Sequence, residues 1–195
     1  MENLRGFVAF GLTFAMLILI WSAHNGFFRR YGSLQDGRTV VLNSVLLFVV
    51  LFYVYPLKFL FTVFVNQFLG LTGEGGEAPA RIGNADELSS LMIIYGLGFV
   101  AVFACFSLLY AHALARREEL GLDAVRQIEA RNWMRHYLMF VLVGLLSVAL
   151  AWTRVGLRFG LPGFIYCLLG PLCWWNGEVG GRRKRELESR LSSVA

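Results

Sequence analysis

The chain has 195 residues, 57% of them hydrophobic and 16% charged, with a formal net charge of +5 and a mean hydropathy of +0.60. Soluble domains are about half apolar and about a quarter charged, so this balance excludes an ordinary soluble domain and points to an integral membrane protein. The positive charge is not a nucleic-acid signature, because the basic residues flank apolar runs and no separate domain carries a basic motif.

Five stretches carry no acidic or basic residue: Gly6–Phe28, Thr39–Leu57, Leu88–Ala115, His136–Thr153 and Phe159–Gly177. A helix rises about 1.5 Å per residue, so about 20 residues cross a hydrocarbon core of about 30 Å. Each stretch is near that length. They are too long and too uniformly apolar for the alternating strands of a barrel. The expected fold is all-α, a polytopic bundle of five transmembrane helices forming one membrane domain over residues 1–195.

Taken in chain order, the first run stops at Arg29 and Arg30, a cytoplasmic anchor, and the turn-rich "RRYGSLQDGR" follows. Only Arg5 precedes this run and no small-residue cleavage site follows it, which disfavours a cleavable signal peptide. The second run reaches Pro56, where a kink or an end is expected, and Lys58, which should snorkel at the outer interface. An extension to residue 70 is expected, then a Gly-rich, net acidic outer loop over 71–87. The third run is uninterrupted. "RREELGLDAVRQIEARNWMR" after it mixes charge signs with Leu120, Leu122, Val125 and Ile128, which fits helix extensions or an amphipathic linker. The fourth and fifth runs form a hairpin across a short outer connection near Arg154–Arg158. A basic tail over 178–195 carries Arg182, Arg183, Lys184 and Arg185 as further cytoplasmic anchors. Anchoring is the plain role of that tail, and binding of lipid headgroups the sharper one.

Charge asymmetry orients the bundle. One side collects Arg29, Arg30, Arg38, Arg116, Arg117, Arg126, Arg131, Arg135, Arg182, Arg183, Lys184, Arg185 and Arg190; the other has Arg5, Arg81, Arg154 and Arg158. The positive-inside rule makes the first side cytoplasmic. The C-terminus is then inside and the N-terminus outside, unless a further helix precedes Met1.

No Asp or Glu lies within the five runs, which argues against a proton-coupled pump. Catalytic motifs and the "TVGYG" potassium filter are absent from the sequence. Cys105, Cys167 and Cys173 fall inside runs without metal-ligand spacing. No enzyme activity, cofactor or metal site is expected. The polar residues that stand out are Trp21, His24, Asn25 and Asn43, taken together as a candidate interhelical network. Trp21 and His24 share a face at i, i+3. His24 and Asn43 each lie about four residues inside adjoining ends of antiparallel helices, so both sit roughly 6 Å deep. An unpaired polar group at that depth costs on the order of a few kcal/mol, which favours pairing. Plain interfacial anchoring of Trp21 and His24 is the competing reading. His112 and His136 are expected simply to face headgroups.

The string Trp21-x-x-His24-x-x-x-Phe28-Arg29-Arg30, then Asp36, Leu42-Asn43 and an apolar helix ending near Pro56, resembles the bacterial relatives of the endolysosomal potassium channel. The resemblance implies six-helix subunits with cytoplasmic termini, four to a channel, in the bacterial inner membrane. It also implies a first, pore-lining helix bearing Arg-x-x-x-Phe-Ser-Asp, whose partners would match Trp21, His24 and Asn43. That motif is absent from this sequence, and Asn25 stands where many members have a second histidine. Potassium conduction as a homo-oligomer, or with a partner supplying the missing helix, is therefore the leading functional expectation. A non-conducting scaffold or accessory subunit is the alternative.

Overall fold

The computed structural model describes residues 2–68, 85–157 and 160–192, and every element among them is helical. The elements are α1 (Glu2–Tyr31), α2 (Gly37–Phe68), α3 (Ala85–Ala115), α4 (Ala124–Trp152), the short α5 (Leu161–Phe164), a 3-10 turn (Ile165–Leu168) and α6 (Leu169–Ser192). Among the described residues, four helical stretches are long and apolar enough to cross a membrane: Phe7–Tyr31, Gly37–Thr62, Asp86–Ala115 and Ala124–Trp152.

Sequential neighbours pack in order. α1 lies on α2, α2 on α3, α3 on α4 and α4 on α6, with the α3–α4 seam the most extensive. That seam closes through small residues. A side chain at Gly96 would meet Val148 Cγ2 at 2.5 Å, and one at Gly144 would meet Val100 Cγ2 at 2.7 Å. Lipid tails are as apolar as leucine, so helices in a bilayer associate through such close packing and through hydrogen bonds. Gly98 plays the same part against α2, where the Tyr53 ring covers it and the Tyr53 hydroxyl donates to the Tyr95 carbonyl at 3.0 Å.

Several element boundaries differ from the sequence expectation. α2 runs through Pro56 to Phe68 rather than kinking to a stop. Proline removes one donor, and spanning helices tolerate that loss where neighbouring packing holds the chain. Lys58 is exposed beyond it. The 71–84 part of the expected outer loop lies outside the described residues, as do Arg81 and Arg158, while residues 85–87 already begin α3. Asp86 and Glu87 occupy its first turn, where the helix dipole favours negative charge. α4 starts twelve residues before His136, because Asp123 caps it by accepting the Arg126 N–H at 2.7 Å. The basic tail is the continuation of α6, helical to Ser192.

The fifth apolar run is broken rather than one continuous span. Gly160 adopts a left-handed φ of 68°, Pro162 follows, and the 3-10 turn intervenes before α6. The Ser147 hydroxyl donates to the Pro162 carbonyl at 2.8 Å, satisfying an acceptor that the broken helix leaves open. At the same end, Ser89 donates to the Ala151 carbonyl at 2.7 Å and Arg154 pairs with Asp86.

Candidate functional site

Polar chemistry concentrates at the basic end of the bundle. The α1–α2 hairpin brings two expected site residues together: His24 Nε2 lies 2.7 Å from Asn43 Oδ1, both partly buried. The amide oxygen can only accept, so the imidazole N–H donates. The His24 ring also tilts against Phe28, with centroids 4.7 Å apart. Trp21 does not join this pair. It is 64% exposed and faces away, because three residues along a helix turn the side chain about 60° off the His24 direction. Asn25 is half-buried and makes no side-chain hydrogen bond among the described residues.

A second constellation lies one helix turn further out. Asp36 Oδ1 accepts the Thr39 N–H at 3.0 Å and the Thr39 hydroxyl at 2.7 Å, capping α2. Its other oxygen, Oδ2, accepts from His112 Nε2 at 2.7 Å, and Arg116 Nη2 stands 3.7 Å away. His112 is buried in the last turn of α3 and not turned to headgroups, a correction to the sequence expectation. The Thr39 hydroxyl and N–H, followed by the His112 contact, hold the Asp36 carboxyl well below the usual carboxylate range against the opposing effect of burial. One carboxylate thus serves the start of α2, where the helix dipole favours its charge, and holds His112 and Arg116 at the end of α3.

Behind these contacts sits an aromatic core. Phe27 and Tyr31 of α1 meet Tyr110 of α3 edge-on at centroid distances of 5.0 and 5.8 Å. Tyr110 stacks on Trp133 and tilts over Tyr137 of α4 at 6.3 and 5.7 Å. The Arg30 guanidinium lies 5.3 Å over the Trp133 ring, a cation–π contact from the expected anchor pair, and both Arg29 and Arg30 are exposed. His136 packs among Trp133, Tyr137 and Phe140 and is half-buried, so it too departs from a simple headgroup-facing role.

The third constellation ties α4 to α6. Arg135 donates to Asn176 Oδ1 at 3.2 Å, and Asn176 Nδ2 donates to the Asn132 carbonyl at 3.3 Å. Asn176 is 1% exposed. Lys184 pairs with Glu129 at 2.6 Å, and Arg182 with Glu178 at 3.5 Å, whereas Arg183 and Arg185 make no ion pair among the described residues.

The opposite character marks α1 and α2 over most of their length. Phe7, Phe10, Phe14 and Leu19 of α1 and Phe48, Leu51, Phe52 and Tyr55 of α2 are exposed. Fold and site together define a polytopic α-helical membrane protein, knit by polar contacts at its basic end and open along the apolar faces of its first two helices.

Two comparisons place that architecture. A potassium channel from Marivirga tractuosa is 34% identical over 191 residues, covering 95% of this chain and 76% of the relative. A variant of the potassium channel MtTMEM175, solved in complex with a nanobody–MBP fusion, superposes with a TM-score of 0.80 at 33% identity, covering 93% of this chain and 80% of that one. No protein-family profile matches the chain. The chain belongs to this potassium-channel family, the bacterial relatives of the endolysosomal potassium channel, and its relatives are channels rather than enzymes. The similarity extends well past the stretch around Trp21–Pro56 that carries the motif residues.

Proposed function

We propose that this chain conducts potassium ions across a bacterial inner membrane as a homo-oligomer, with the pore built against the open apolar faces of α1 and α2. The observation that carries this reading is the imbalance of packing. α3 and α4 bury a larger share of their spans inside the subunit, while α1 and α2 leave most of theirs without a partner. Continuous exposed apolar faces of that size are completed by lipid, by a neighbouring subunit or by a further helix. The names of two relatives as potassium channels favour a conducting assembly. In this reading the His24–Asn43 contact and the Asp36 hub keep the α1–α2 hairpin rigid where it meets its neighbours. The basic side, with Arg29, Arg30, Arg182, Arg183, Lys184 and Arg185, faces the cytoplasm by the positive-inside rule.

Potassium influx into proteoliposomes containing the chain alone tests the proposal. Influx above that of protein-free vesicles, with a cross-linked ladder extending beyond the monomer, is the expected result. Influx equal to protein-free vesicles refutes autonomous conduction. Influx that appears only when a second subunit is reconstituted alongside assigns the chain to an accessory role.

A further inference from the structure

A cleft of about 320 Å³ opens between α4 and α6 at the basic end of the bundle, away from α1 and α2. Three arginines line it, Arg131 and Arg135 from α4 and Arg183 from α6, against one carboxylate among the described residues, that of Glu186. Arg131 and Arg183 make no ion pair or hydrogen bond among the described residues, so both guanidiniums are available. Arg135 is different. One of its nitrogens is tied to buried Asn176, which fixes the guanidinium while leaving its remaining donors for the cleft. Ile128 and Leu187 supply apolar lining at the same opening.

The depth of the cleft points to the headgroup layer. Counting about 20 spanning residues back from Trp152 reaches Trp133, an aromatic at the level where tryptophan marks the interface. Arg131 and Arg135 bracket Trp133, so their charges stand where lipid phosphates lie. Asn132 also lines the cleft, and Gly180 packs directly on its amide, where an added Cβ would lie 2.5 Å away, so the two helices close the floor of the opening there.

We propose that this cleft binds the phosphate of an anionic phospholipid. The three guanidiniums hold the phosphate, and Ile128 and Leu187 lie about one turn further toward the basic end, beside its headgroup. Basic pockets between spanning helices commonly serve such headgroups. The site is separate from the α1–α2 faces and does not depend on conduction.

Native mass spectrometry of the full chain in neutral detergent tests it, with short-chain phosphatidylglycerol, phosphatidylcholine, phosphatidylmethanol and inorganic phosphate as probes. Phosphatidylglycerol should bind at least about tenfold more tightly than phosphatidylcholine. The double variant Arg131→Gln, Arg183→Gln should lose about tenfold or more of that affinity while keeping its elution volume and helicity. The equally charge-reduced variant Arg38→Gln, Arg117→Gln, whose positions lie outside the cleft, should retain it. Equal losses in both variants would reduce the effect to overall charge and overturn the site. Millimolar phosphate that displaces the lipid would reassign the cleft to a soluble phosphate. Phosphatidylmethanol, anionic without the headgroup hydroxyl, should bind as phosphatidylglycerol does, and failure of phosphatidylmethanol to bind would overturn recognition through the phosphate.

Discussion

Replacing Asn43 by alanine removes one hydrogen bond, 2.7 Å long, that joins α1 to α2 within a part-buried seam. Interhelical hydrogen bonds in membranes contribute about 0.6 kcal/mol on average and up to about 1.7 kcal/mol. The short, aligned His24–Asn43 contact belongs in the upper half of that range, because truncating one partner also strands the other. His24→Ala should cost more than Asn43→Ala, since it also removes the ring contact with Phe28. A change of 1 kcal/mol moves the midpoint by about 2–4 °C in a protein of this size, so Asn43→Ala should lower it by about 2–6 °C. The assay is a double-mutant cycle in detergent, comparing the wild type, His24→Ala, Asn43→Ala and the double variant by circular dichroism melts. The expected coupling is about 0.6–1.7 kcal/mol. Single-variant losses that add within about 0.3 kcal/mol would show that the two side chains do not stabilise each other, and the hydrogen-bond argument would fail.

Two further outcomes follow from named contacts. The Asp36 carboxyl is held below its unfolded value of about 3.9 by Thr39 and His112. A depressed folded pKa gives stability that is complete above the unfolded pKa and is lost as pH falls from there through the folded value. The melting midpoint of the wild type should therefore fall more steeply below about pH 4 than that of Asp36→Asn, which keeps a capping side chain but has no charge to lose; parallel curves would sink the assignment. Gly98→Ala would drive a Cβ into the Tyr53 ring and should destabilise by about 1–3 kcal/mol, the usual range for overpacking. Gly11→Ala, with nothing within 4 Å, should be neutral or stabilising in the same melts, and an equal loss at both sites would contradict the close-packing account.

Much was legible in local chemistry. Apolar runs of spanning length gave the all-helical membrane class and the first four spans, because hydrocarbon forces every backbone group to be satisfied within its own helix. The His24–Asn43 neighbourhood was accessible too, since two residues equally far from one hairpin turn reach the same depth. The boundaries were less accessible. The fourth helix begins at Ala124 because Asp123 caps it inside a charged stretch that composition alone leaves open between a helix extension and an amphipathic linker. The fifth run breaks because Gly160 and Pro162 interrupt it while the Ser147 hydroxyl satisfies the exposed carbonyl from another helix.

Other site features had no local signal at all. His112 and Asp36 are 76 residues apart, and no spacing rule links a histidine at the end of one helix to a cap at the start of another. Trp21 shares a face with His24 by periodicity, yet its side chain points out of the subunit, because the α2 contact admits the His24 side of α1 and leaves the next ridge outside. The arginines of α4 and α6 read alike as membrane anchors along the chain. Only packing separates Arg135, tied to buried Asn176, from Arg131 and Arg183, which make no ion pair among the described residues. The sequence by itself determined that this is a helical membrane protein and which of its ends is basic, because transfer energies and positive charge act residue by residue. Tertiary structure decided which polar groups meet and which apolar faces stay open, because those depend on helices brought together from distant parts of the chain.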